Sequence, residues 1–91
     1  MRLTPKAVGV ILNRANSWVT ARMKRHPELL TAAGVSTAIA DNFPRYKCPA
    51  GGALALRRLE ACLDGMKLDC VGDIGGPVPT HDKAAYGRGR K

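Results

Sequence analysis

Apolar positions recur in threes and fours along most of this chain, and short polar or Gly/Pro clusters separate the runs. Val8, Ile11 and Leu12 give the first run its inner face. Thr4 is placed to cap it, and Pro5 suits a first helical position, so the pattern predicts a helix over Pro5–Leu12. Gly9 inside it costs about 1 kcal/mol relative to Ala and requires a packing reason. Residues 13–15 make a break, after which Asn16 or Ser17 caps a second helix that runs to about His26. Pro27 opens a third over residues 27–33 that ends at Gly34. Ser36 caps a fourth over residues 37–43, closed by Pro44, and residues 45–52 read as a loop. The clearest amphipathic stretch is 54–67, where Leu56, Leu59, Leu63 and Met66 form a stripe widened by Ala55 and Cys62. Arg57, Arg58, Glu60, Asp64 and Lys67 lie mostly outside that stripe, on a face read as solvated. From Val71 onward, five glycines, two prolines and four basic residues fill 21 positions with almost no bulky apolar group. The expected architecture is all-α: a bundle of about five helices over residues 1–70 containing a helix-turn-helix, followed by a disordered basic tail over 71–91.

Size narrows the possibilities. With 91 residues the chain forms one small domain, which buries only roughly 64% of the surface of its unfolded form and has little room for an enclosed substrate cavity. Four aromatics, Trp18, Phe43, Tyr46 and Tyr86, are the candidate core anchors. Three widely spaced cysteines, Cys48, Cys62 and Cys70, give no disulfide framework and no paired metal-ligand spacing, so they read as reduced thiols. The six apolar residues at 7–12 fall short of a signal-peptide core. The longest uncharged stretch, 12 residues over 29–40, is too short to span a membrane. A cytoplasmic protein with no membrane partner is expected.

Charge then points to a class of partner. Fifteen Lys and Arg against seven Asp and Glu leave a net charge of +8. All six charges before Glu28 are basic: Arg2, Lys6, Arg14, Arg22, Lys24 and Arg25. Such a field attracts polyanions, nucleic acid first among them. Catalysis is not expected, because two serines, two histidines and scattered carboxylates do not assemble a nucleophile, a base and an orienting acid. No metal site and no cofactor are expected either.

Residues 5–26 hold the parts of a helix-turn-helix: an apolar first helix, Gly9 where two helices cross, and Asn13, which tolerates left-handed geometry, at the turn. Val19 and Met23 pack the second helix back. Residues 12–19, LNRANSWV, resemble the turn and recognition helix of helix-turn-helix proteins such as the ParB-like and excisionase-like groups of phages and plasmids. The likeness covers about 20 of the 91 residues. It departs from the usual pattern at Arg14, where an apolar residue is commoner, and at Gly9, where Ala is usual. The resemblance implies double-stranded DNA as the partner, read at base edges by Asn16, Ser17, Thr20 and Lys24, while Lys6, Arg14, Arg22 and Arg25 hold phosphates. It implies a small transcriptional regulator of a phage or mobile element.

A second register competes. Residues 33–37, AGVST, resemble the tight turn of TetR-like and Cro-like DNA readers and would make 37–43 the reading helix. That helix carries Asp41 and no basic residue, so phosphate contact favours the first register. Single-strand or RNA binding usually interleaves aromatics with basic residues, a pattern missing here. The rival from another class is a small phage-encoded interaction protein, as anti-CRISPR proteins are, that inhibits a host protein or nucleoprotein complex. A single small module reads few base pairs, so a homodimer is expected, formed through the 54–67 stripe.

Overall fold

The computed structural model describes residues 2–76 and 78. It is all-α, with five α-helices and one 3-10 turn among those residues: α1 (Pro5–Leu12), α2 (Asn16–Arg25), the 3-10 turn Pro27–Leu30, α3 (Ala32–Asn42), α4 (Pro49–Leu63) and α5 (Leu68–Asp73). Helix α1 lies at the centre, packed against α2, α3, α4 and α5. Its start follows from the sequence, since the Thr4 hydroxyl oxygen accepts from the Ala7 N–H at 3.1 Å and Pro5 needs no partner for a missing N–H. Leu3 donates to the Leu30 carbonyl at 2.7 Å and fastens the N-terminal segment to the 3-10 turn.

The core is aliphatic. Val8, Ile11, Val19, Leu29, Val35 and Val71 are almost completely buried, and Phe43 is the one described aromatic among them; Tyr46 is 75% exposed and Trp18 half-buried. Of the expected aromatic anchors, Phe43 is core, Trp18 packs against the core from its edge, Tyr46 does neither, and Tyr86 lies outside the described residues. Small and β-branched side chains on closely approaching helices fill the rest of the interior.

Two expected boundaries move. Gly34 and Ser36 lie inside α3, which begins two residues before Gly34 with Thr31 as its cap, the Gly34 N–H donating to Thr31 Oγ1 at 3.0 Å. The expected third helix shrinks to the 3-10 turn. A Cβ at Gly34 would stand 1.9 Å from the Glu28 carbonyl oxygen, so glycine lets α3 start directly over that turn and does not mark a helix end. The turn required by the TetR-like register at 33–37 is absent, because those residues are helical. Helix α4 begins at Pro49, inside the expected loop.

The packed part of the chain also extends beyond residue 70. Helix α5 runs to Asp73, Val71 is fully buried, and Val78 is buried in the core. Arg58, expected on a solvated face, is the reason. It is 3% exposed, and its guanidinium donates to the carbonyls of Val10 (3.2 Å), Gly72 (2.9 Å), Ile74 (2.8 and 3.2 Å) and Gly76. Val10 and Gly72 belong to the last turns of α1 and α5, where helix carbonyls lack internal partners and the helix dipole favours a cation. Burial pushes the Arg58 pKa down, and nearby Asp73 offsets part of that. The rest of the expected flexible tail, residue 77 and residues 79–91, lies outside the described residues.

Seating Arg58 inward sets the rotation of α4. Gly51, Leu54, Ala55, Leu59, Ala61 and Cys62 are buried with it, while Leu56 and Leu63 are 44% and 37% exposed. Of the expected stripe, Ala55, Leu59 and Cys62 are core, while Leu56, Leu63 and Met66 stay outside. Helix α4 ends with Gly65 in the left-handed region (φ 86°), where the Gly65 and Met66 N–H groups donate to the Cys62 and Ala61 carbonyls, both at 3.0 Å. No helix among the described residues is long and apolar enough to cross a membrane.

Candidate nucleic-acid interface

The α1–α2 corner turns at Asn13 as its sequence predicts, but Ala15, and neither Asn16 nor Ser17, stands at the N-cap of α2. Asn13 adopts φ 55°, ψ 48°, and its N–H donates to the Gly9 carbonyl, ending α1 in a left-handed residue. The Arg14 N–H donates to the same carbonyl at 3.0 Å, so the turn lies tightly against α1. A Cβ at Gly9 would stand 2.9 Å from the Arg14 carbonyl oxygen, which supplies the packing reason for a glycine there.

Helix α2 turns Val19, fully buried, and the half-buried Met23 toward the core. Asn16, Ser17, Ala21, Lys24 and Arg25 are exposed, and Thr20 is half-buried beside them. The four residues expected to read bases thus share one outward arc. Thr20 Oγ1 donates its proton to the Asn16 carbonyl at 2.9 Å, which leaves its lone pairs and its methyl group for an incoming ligand. Residue Ala15 stands at the N-cap of α2, where no side chain caps the helix. An open groove bordered by Lys6, Gly9, Asn13, Arg14 and Asn16 lies at this end of α2, whose first-turn N–H groups lack a side-chain cap.

The four residues expected to hold phosphates separate into two groups. Lys6 and Arg25 are exposed, with no acidic partner among the described residues. Arg14 and Arg22 flank Trp18, their guanidinium carbons 5.0 and 5.5 Å from its ring centroid. Both reach the C-terminal end of α3. Arg14 Nη2 donates to Asn42 Oδ1 at 2.8 Å, and Arg22 Nη2 pairs with Asp41 Oδ2 at 2.9 Å. A neutral partner leaves Arg14 its full charge, whereas Asp41 cancels that of Arg22. Arg22 is thereby occupied in joining α2 to α3. Sequence reasoning missed this plate, although the spacing of Trp18 and Arg22 by four places both on one side of α2; Arg14 joins them from the turn. Asp41 and Asn42 become partners only through the packing of α3.

Apart from Asp41, the acids among the described residues sit elsewhere. Glu60, Asp64, Asp69 and Asp73 belong to α4, its end and α5, and Glu28 lies 3.4 Å from His26 Nδ1. Cys48 and Cys62 are buried and Cys70 is exposed; burial pushes the Cys62 thiol pKa up. Among the described residues no three His, Cys, Asp or Glu side chains converge as metal ligands. No known protein family, curated protein or solved structure matches the chain.

Proposed function

We propose that the protein binds double-stranded DNA through the α1–α2 corner, with α2 entering the major groove. One observation carries this reading: the outward arc of α2 and the groove at its N-terminus join four uncompensated cations, Lys6, Arg14, Lys24 and Arg25, to the polar edge of Asn16, Ser17 and Thr20, with no carboxylate in α1 or α2. Asn16, Ser17, Thr20 and Lys24 read base edges. Lys6, Arg14 and Arg25 hold phosphates, helped by the uncapped N-terminus of α2, and Arg22 keeps α2 seated on α3. Work of this kind suits a small regulator that occupies a short site in the DNA of a phage or other mobile element.

Gel shifts with fragments of the source genome, against an unrelated duplex as competitor, test the proposal. Lys24→Ala is expected to lower the preference for target by about 1 to 3 kcal/mol. Arg25→Ala is expected to weaken target and competitor alike and to flatten the slope of log K against log salt by roughly 0.9. If salt alone governs binding and Thr20→Ala and Lys24→Ala are both silent, the chain is no base reader, and inhibition of a host complex becomes the better account.

A further inference from the structure

Helix α4 carries two adjacent rows on its outer side that no described residue covers. Leu56 and Leu63, 44% and 37% exposed, are seven residues apart and so lie two turns apart on one row. Arg57 and Asp64 form the next row at the same spacing, with Glu60 between them. All three charged residues are exposed and have no ion-pair partner among the described residues. Beside the leucine row, Ile39 and Ala40 of α3 and Phe43 just after it border a shallow groove with Gly52, Ala53 and Leu56.

The order of these residues is self-complementary in one direction only. If a second α4 runs antiparallel about a twofold axis near residues 59 and 60, Leu56 falls opposite Leu63 of the other copy, and the reverse contact follows by symmetry. The same axis keeps both charged rows on one side of the seam. Arg57 then meets both Asp64 and Glu60 of the other copy, each within about 3 Å of axial register, and so also screens the two Glu60 side chains that face one another near the axis. A parallel pair sends the charged rows to opposite sides and leaves them unmatched. We infer that α4 is the docking surface for a second copy of this chain, paired antiparallel through Leu56 and Leu63 and held in register by reciprocal Arg57–Asp64 ion pairs.

The test needs no DNA, so it stands or falls apart from the proposed function. Sedimentation equilibrium of the full chain is expected to show twice the 9.7 kDa monomer mass. Arg57→Glu places acid against Asp64, and Asp64→Arg places base against Arg57. Each variant alone is expected to weaken the dimer by roughly tenfold or more. The two variants mixed are expected to restore it as a heterodimer, because each mismatched residue then meets its opposite. Leu63→Lys is expected to give a monomer with unchanged helical circular dichroism. A wild-type chain of monomer mass at every concentration overturns the inference, as does a dimer indifferent to both charge reversals or a mixture that fails to recover.

Discussion

Arg22 and Arg58 carry the same side chain into two different environments. Arg22, with its side chain 23% exposed, holds one carboxylate and one indole face at the edge of the molecule. Arg58, 3% exposed, holds four backbone carbonyls and no carboxylate. Water competes with Arg22 for the carboxylate of Asp41, which is 57% exposed, and such a pair adds little to stability. The carbonyls at the ends of α1 and α5 are part-buried and lack helical partners, so a five-donor fork that reaches all of them decides where the chain goes. The surface arginine is held by one carboxylate that a single substitution releases; the buried one is committed to the fold.

The sharpest way to break this contrast is to remove the buried fork. Arg58→Met is expected to leave the carbonyls of Val10, Gly72, Ile74 and Gly76 without their donor, costing roughly 3 kcal/mol or more. Urea denaturation measures the loss, and hydrogen exchange should show residues 68–76 opening first. Arg58→Lys keeps the charge without the fork and is expected to recover less than half.

Bare backbone meets the same interior demand at Gly34. Gly34→Ala drives a Cβ into the Glu28 carbonyl, 1.9 Å away in the present geometry, and is expected to cost about 3 kcal/mol. Gly9→Ala, with 2.9 Å to the Arg14 carbonyl, recovers helix propensity against a milder clash and should cost no more than about 1 kcal/mol by thermal melting.

Smaller effects sharpen the surface half of the comparison. Asp41→Asn frees Arg22 at a cost in stability of about 0.5 kcal/mol. On the proposed function it should raise affinity for every duplex and steepen the salt slope by up to roughly 0.9, opposite in sign to Arg25→Ala. A flat response places Arg22 beyond the reach of phosphate. The least perturbing probe is thiol labelling: Cys70 is expected to react quickly, while Cys62, buried and with its thiolate disfavoured, stays silent until Arg58→Met loosens α5.

Where local chemistry decides structure, the sequence was legible. Thr4 and Pro5 start α1, Asn13 turns the chain, and Val19 and Met23 face α2 inward, all through groups within a few residues of one another. The outward arc of Asn16, Ser17, Thr20 and Lys24 follows from that helical spacing alone. Local signals misled wherever a distant segment supplied the reason for a residue. Gly34 reads as a helix end, yet it is a contact point for the 3-10 turn. The glycines after Val71 read as a tail, although Gly72 and Gly76 are held by an arginine from α4.

The sequence by itself determined an all-helical chain, the corner between its first two helices and a basic N-terminal third, because capping, left-handed turns and charge are properties of neighbouring residues. Only the tertiary structure decided which arginine is buried, how α4 is rotated, which leucines stay outside, and that Arg22 is occupied by Asp41 while Arg14 keeps its charge. These outcomes depend on which carbonyls and carboxylates arrive from elsewhere in the chain. A buried polar group must find partners wherever packing brings them, and the spacing of residues along the chain does not encode that.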